Sequence, residues 1–207
     1  MWNQRYSEPG YAYGTDPNDF LKEQYHRIPA GGKVLCLAEG EGRNAVFLAK
    51  QGYRVTAVDL SPIGIKKAHQ LAAENGVNII TNAVDLADYD MGRNEWDGII
   101  SIFAHTPVPI RRRIHALVPN ALRDNGCFIL EAYTIEHLQM EGTGGPMAEQ
   151  KELFMSLSGL KNELAGLRML LGNNIQRVMD EGRLHRGMSA VVQVVGTRAC
   201  DSIVPGG

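Results

Sequence analysis

Three short stretches hold residues whose types and spacing can do chemistry. The first is Glu39-Gly40-Glu41-Gly42-Arg43-Asn44. Gly40 and Gly42 let the backbone turn tightly and approach a ligand with no Cβ in the way. A helix starting at Arg43 presents free N–H groups there to a carboxylate or phosphate. The second is Asp59, nineteen residues beyond Gly40, followed by Leu60. An acid at that place can accept both ribose hydroxyl hydrogens. The third is Asp85-Leu86, whose carboxylate can accept from an adenine amino group. Two acids in this order suit an adenosine whose other end is not a pyrophosphate. The plainer reading is a tight glycine turn with Asp59 and Asp85 as helix or turn caps.

A second set lies further on. His105 can be a base or orient a substrate, since imidazole titrates near neutral pH; equally, it can cap the next helix or bond a buried carbonyl. Tyr133 can orient a substrate or pack under the loop that follows. His185 and Arg186 can bind an anionic substrate or sit on a solvated hairpin tip. Gly142-Thr143-Gly144-Gly145-Pro146 reads as a loop, either a lid hinge or simply mobile.

Positioning these residues takes an alternation of strands and helices. Val34–Ala38 is a continuous apolar run, the pattern of a strand buried on both faces. Arg43–Gln51 reads as a helix stopped by Gly52. Arg54–Val58 is a second strand ending at Asp59. Ser61-Pro62 opens a helix, with Ser at the N-cap and Pro at the first position, running to about Glu74. Asn78–Thr81 and Trp96–Phe103 are the third and fourth strands. A helix spans Pro107–Leu122, then a turn at Asp124-Asn125-Gly126, then a fifth strand over Cys127–Ala132. Gln150–Leu167 reads as a helix, with Leu153, Leu157, Leu160 and Leu164 at helical spacing. Ile175–Asp180 and Met188–Gly196 are strands too close in sequence for a crossover, so they pair antiparallel. The expectation is an α/β, three-layer, doubly wound and mostly parallel seven-stranded sheet with a C-terminal antiparallel hairpin. It forms one domain over residues 1–198, with residues 1–30 as an N-terminal helical cover and 199–207 as a disordered tail.

The totals exclude several classes. The chain has 207 residues, 44% apolar and 21% charged, with a net charge of −2, so it lacks the basic footprint of a nucleic-acid binder. Arg111-Arg112-Arg113 reads as a solvated helix face. Three cysteines do not make a disulfide framework; Cys36 and Cys127 read as small buried hydrophobes and Cys200 lies in the tail. No apolar stretch reaches the ~18 residues of a membrane span, and the N-terminus is not a signal peptide. The histidines show no spacing that gathers metal ligands. Trp2 and Trp96 read as packing residues. A cytoplasmic monomer or weak homodimer is expected.

Val34-Leu35-Cys36-Leu37-Ala38-Glu39-Gly40-Glu41-Gly42-Arg43-Asn44 resembles the first motif of class I S-adenosylmethionine-dependent methyltransferases. Gly-Arg-Asn with Leu48-Ala49, and Leu184-His185-Arg186 near the end, resemble the bacterial tellurite-resistance branch. So do Tyr11-Ala12-Tyr13-Gly14, Ser101-Ile102-Phe103-Ala104-His105, Glu131-Ala132-Tyr133 and the Gly142–Pro146 loop. The resemblance implies S-adenosyl-L-methionine as cofactor and S-adenosyl-L-homocysteine as product. It also implies roles: Glu39, Gly40, Glu41, Gly42 and Asn44 around the methionine part, Asp59 and Leu60 at the ribose, Asp85 and Leu86 at the adenine. Ile102 and Phe103 then lie under the methyl, and Tyr13 belongs to a covering N-terminal segment. The motif usually has an acid where Cys36 stands and a glycine where Ala38 stands; Glu39 or Glu41 is expected to take over the acid's role. The function so implied is methyl transfer to a small-molecule acceptor. The alternatives are a nicotinamide-dependent Rossmann oxidoreductase, opposed by Ala45 where a third glycine would stand, and a non-catalytic binder of the same nucleoside. Nucleic-acid methylation is opposed by the acidic balance and by Ala104-His105-Thr106-Pro107.

Overall fold

A computed structural model describes residues 2–198. The sheet has seven strands: β1 (Lys33–Leu37), β2 (Arg54–Asp59), β3 (Ile80–Ala83), β4 (Trp96–Ile102), β5 (Leu122–Tyr133), β6 (Arg168–Glu181) and β7 (His185–Thr197). Their order is β3-β2-β1-β4-β5-β7-β6. The first five run parallel, and β7 is antiparallel to both β5 and β6. The expected doubly wound sheet with a terminal hairpin is therefore the observed one.

The central strands are apolar on both faces because both faces are covered. Val34 and Cys36 of β1 join a core with helices α2 (Asp19–Gln24), α3 (Arg43–Lys50) and α4 (Pro62–Glu74). Leu35 and Leu37, pointing the other way, join a core with α5 (Val108–Ala121) and α6 (Leu157–Glu163). This is the two-residue alternation of a pleated strand between two helical layers. α4 starts as its sequence dictates: Ser61 caps it, accepting from Gly64 N, and Pro62 sits at the first turn. Cys36 and Cys127 are buried free thiols; Cys200 and the tail from 199 onward lie outside the described residues.

Several expectations need correction. The third strand lies two residues later than the apolar pattern placed it, at Ile80–Ala83. It is an edge strand with little buried side-chain surface, so hydrophobicity marks it weakly. The Asp124-Asn125-Gly126 turn is a bulge inside β5, with Asn125 in the left-handed region. The helix expected over Gln150–Leu167 is instead a 3-10 turn at Lys151–Leu153 and the short α6. Ser156 interrupts it by capping α6 through Gly159 N. The hairpin strands are much longer than expected, and their turn is only Gly182-Arg183-Leu184. Of the expected solvated arginine face, Arg112 and Arg113 are exposed, while Arg111 is largely covered. Arg111 grips Glu163 of α6, and Arg113 donates to the Leu86 and Tyr89 carbonyls.

Residues 2–30 are helical only in part. α1 (Trp2–Tyr6) packs on α4, a loop follows, and Asn18 caps α2 through Leu21 N. A buried polar network locks this segment to the hairpin. Glu131 of β5 is 0% exposed and accepts from Arg177, Asn18 and Gln193. Arg177 also binds Glu181 and Asp19, and Glu181 binds Arg43 at 2.5 Å. Removing one member of a buried ion pair strands its partner's charge, which costs about 3–5 kcal/mol. Arg177→Met should therefore lower the free energy of unfolding by about that much, read from urea denaturation; a loss of only a few tenths would show that Glu131 is satisfied without it.

Candidate functional site

The chemistry-bearing residues gather at the carboxyl ends of the parallel strands, where open α/β sheets bind ligands. β1 ends at Leu37, and Ala38 after it holds φ +49, a left-handed conformation that disfavours an L side chain. The next four residues turn the chain into α3. The helix N-terminus is not free, as the sequence suggested. Glu39 Oε1 accepts from Asn44 N and Ala45 N, both at 2.9 Å. Burial pushes the Glu39 carboxyl up to about 7, against the lowering effect of these N–H groups and Arg43. Glu41 is also engaged. It accepts from Ala12 N at 2.6 Å and pairs with Lys67 at 2.8 Å, tying the covering segment to α4. Each of the two acids proposed to replace the one missing at Cys36 is thus used within the chain.

Asp59 closes the loop from the other side. Its Oδ2 accepts from Gly40 N at 2.9 Å and its Oδ1 from Ser61 N at 2.8 Å. Burial raises its pKa, and those two N–H groups oppose the rise. The capping geometry is therefore real, while each carboxylate oxygen keeps a second lone pair. Leu60, next along, is 57% exposed. Asp85 is exposed and turns back on Ala87 N, and Leu86 is buried beneath it.

Tyr6 lies over this loop, a residue the sequence reading passed over. A Cβ built on Gly40, itself at φ +64, would sit 2.5 Å from the Tyr6 hydroxyl; one on Gly64 would sit 2.9 Å from the Tyr6 ring. Only glycine allows α1 to settle so close. Asn3 accepts from Ser61 Oγ at the same place. The signal available in the sequence was the aromatic pair Trp2 and Tyr6, which stack with centroids 5.8 Å apart.

At the ends of β4 and β5 stands an aromatic cluster. Phe103, in the left-handed region at φ +53, stacks on Tyr133 at 4.8 Å and meets His185 edge-on at 4.8 Å. Tyr13 lies 4.4 Å from His185, and its hydroxyl takes a hydrogen bond from Arg5. His137, which the sequence marked only as no metal ligand, lies 4.3 Å from Tyr133. Ile102 points instead into the core on the α3 face.

His105 has a structural task. Its Nδ1 lies 2.9 Å from the Leu153 carbonyl, so it carries the hydrogen, and its Nε2 accepts from Tyr133 N. Burial lowers its pKa to about 4, so the ring is neutral with both nitrogens engaged. His185 is not on a solvated tip. It opens β7, is buried, and its Nδ1 stands 3.8 Å from Glu181 Oε2, an ion-pair separation rather than a hydrogen bond. Arg186, the next residue on the strand, faces the other way, is exposed, and donates to the Gly182 carbonyl. The structure brings His185, Tyr133, Phe103 and Tyr13 together and leaves Arg186 outside.

The missed residues Asn18, Glu131, Arg177 and Glu181 hold this end of the sheet in place. One signal was legible: Glu131 stands inside the apolar run Cys127–Ala132, and a carboxylate in a doubly covered strand must find a partner.

Comparison with known proteins follows the same lines. The methyltransferase domain family matches residues 34–126. Over 84 residues the chain is 32% identical to the ubiquinone biosynthesis O-methyltransferase of Xanthomonas axonopodis, covering 39% of this chain and 35% of that protein. The chain spans about a third of the length of the curated relatives it matches. Among solved structures, one described as "Conversion of a Disulfide Bond into a Thioacetal Group during Echinomycin Biosynthesis" superposes with a TM-score of 0.72 at 20% identity, covering 93% of this chain and 87% of the other. A TehB-like SAM-dependent methyltransferase from Corynebacterium glutamicum superposes with a TM-score of 0.61 at 20% identity, covering 95% and 94%.

Because Glu39 holds its proton more tightly in the folded chain than its ordinary 4.5, the folded state binds more protons between pH 4.5 and about 7. Its contribution to stability therefore declines as pH rises through that window. Glu39→Gln should flatten this part of the curve of unfolding free energy against pH; an unchanged slope would show that Glu39 titrates normally.

Proposed function

The chain carries a methyltransferase domain on the class I, Rossmann-like fold, and on that premise we propose that it transfers a methyl group from S-adenosylmethionine to a small-molecule acceptor. The observation that carries this reading is the Asp59–Gly40 hydrogen bond, which joins the acid after β2 to the loop after β1. It leaves one lone pair on each carboxylate oxygen for a vicinal diol. The exposed face of Leu60 suits the edge of a purine, and Asp85 suits its amino group.

The residues fit this cofactor better than a dinucleotide. A pyrophosphate needs the N–H groups at the start of α3, and the Glu39 carboxylate already takes them. When bound, S-adenosylmethionine supplies a sulfonium methyl that is already electrophilic. The chain then contributes position and exclusion of water, effects worth ~7–11 kcal/mol in well-oriented reactions. Phe103 and Tyr13 form the wall beside the methyl. Tyr6 covers Gly40, so α1 would have to shift for a cofactor to reach the loop backbone. Glu41 and Lys67, which tether the covering segment, act as its latch.

A small molecule as acceptor is supported by the N-terminal segment, tied to the first loop through Glu41, and by the Gly142–Pro146 loop, which packs on Tyr133 at the end of β5. The net charge of −2 gives no attraction to nucleic acid. Among the described residues no helix is long and apolar enough to cross a membrane. We place the enzyme in the cytoplasm as a monomer or weak homodimer.

Calorimetric titration with S-adenosylmethionine and S-adenosylhomocysteine tests the reading. Wild type should bind at least one of them with micromolar affinity. Asp59→Ala, losing hydrogen bonds from a charged group, should weaken binding by about tenfold or more. No heat from either ligand would overturn the assignment.

A further inference from the structure

Three buried polar atoms beside the proposed methyl position have no hydrogen-bond partner among the described residues: Tyr133 Oη, His137 Nδ1 and His185 Nδ1. Their residues are 0%, 4% and 6% exposed. Leaving one such group unsatisfied is costly; three on touching rings mark the seat of a ligand. They converge. Tyr133 lies 4.3 Å from His137 and 5.4 Å from His185, centroid to centroid. The point where a Gly144 side chain would begin is 2.5 Å from Tyr133 Oη and 2.7 Å from His185 Cδ2. Gly144 thus lies directly against the seat. Its φ of +122 is one an L side chain rarely adopts, so the loop can press there only with glycine.

The protonation states follow from geometry. His137 Nε2 lies 3.2 Å from the Gly144 carbonyl, which can only accept, so Nε2 bears the hydrogen and Nδ1 presents a lone pair. Burial lowers the pKa of His137 and raises that of Tyr133. The seat therefore offers a neutral imidazole acceptor and a phenolic donor.

The charges around it do not suit an anion. After burial, the strongest influences on the Tyr133 phenol are the carboxylates of Glu181 and Glu131, with Arg177 opposing them. Arg177 and Arg43 are bound to those carboxylates. Arg5 ends on the Tyr13 hydroxyl, and Arg186 faces outward. The flanking walls are the rings of Phe103 and Tyr13.

Resting on the reading that this chain transfers methyl groups, we infer that Tyr133, His137 and His185 form the acceptor seat and that it takes a neutral, protic nucleophile, a hydroxyl or thiol on a small aromatic body, rather than an oxyanion. The acceptor lies against Gly144, whose carbonyl keeps the hydrogen bond from His137 Nε2, takes a hydrogen bond from Tyr133 Oη and gives one to His137 Nδ1. As its oxygen or sulfur bonds to the methyl carbon, the bond from that carbon to the sulfonium sulfur breaks and the electron pair stays on sulfur. The acceptor's proton passes to His137 Nδ1 and from there to solvent.

The test is NMR of the full chain labelled with ¹³C at histidine Cε1, titrated at neutral pH with phenol, phenylmethanethiol and sodium selenite, with and without S-adenosylhomocysteine. Phenol or phenylmethanethiol should shift the His137 and His185 signals in a saturable way, and selenite should not. Tyr133→Phe keeps the ring and its stacking but loses the donor, so it should weaken neutral-probe binding about fivefold. Saturable shifts with selenite, no response to either neutral probe, or unchanged affinity in Tyr133→Phe would each overturn the inference. If the neutral probes bind as expected and S-adenosylhomocysteine does not, the seat stands and the methyl-transfer reading falls.

Discussion

Glu131 is the constraint around which the rest of the molecule is arranged. A carboxylate with no solvent contact in the middle of a sheet is untenable unless its charge and lone pairs are met. Meeting them takes Arg177 from β6, Gln193 from β7 and Asn18 from the covering segment. Arg177 then brings Glu181, and Glu181 brings Arg43 at the start of α3. One buried charge thus fixes the hairpin, the N-terminal segment and the first loop relative to one another. A purely apolar core at this point would satisfy packing in many registers. A network with every member paired tolerates few.

The same logic sets the character of the two halves of the site. On the β1–β2 side, internal carboxylates satisfy the backbone donors of the loop: Glu39 at the helix start and Asp59 at Gly40. The loop is held in shape before any ligand arrives, which reduces the ordering that binding must cost. On the β4–β5 side the backbone is strained instead, with Phe103 in a left-handed conformation at the strand end. Such strain persists only where the surroundings over-determine it. Here the surroundings are the stacked rings of Tyr133 and His105 and the edge-on ring of His185.

Histidine behaves differently at each position because burial acts on the same ring in different company. His105 has both nitrogens on the backbone and serves as a post between β5 and the Leu153 turn. His115 is paired with Glu163, whose carboxyl sits at about 2 because, although burial raises it, His115 and Arg111 outweigh burial. His137 and His185 keep an unmet nitrogen. Residue type alone does not separate these roles; the partners do.

Local sequence by itself determined the parallel core and the glycine loop. Apolar runs such as Val34–Leu37 need two covering layers, Ser61-Pro62 starts a helix wherever it stands, and Gly40 followed at a fixed interval by Asp59 places an acid opposite a turn. These are properties of neighbours in the chain, so the chain displays them. The edge strand β3, the broken helix around Ser156 and the full length of the hairpin were not legible from apolar periodicity, because β3 is set by pairing with β2, the break by the Ser156 side-chain cap and the hairpin by its cross-strand register. The same holds for the site. That His105 is fully occupied and that Tyr6 rests on Gly40 depend on contacts across tens of residues, and that His137 meets Tyr133 depends on how the chain turns after β5. Tertiary structure decides them because a hydrogen bond or ring contact is set by distance in space, which sequence spacing constrains only within a single helix or strand.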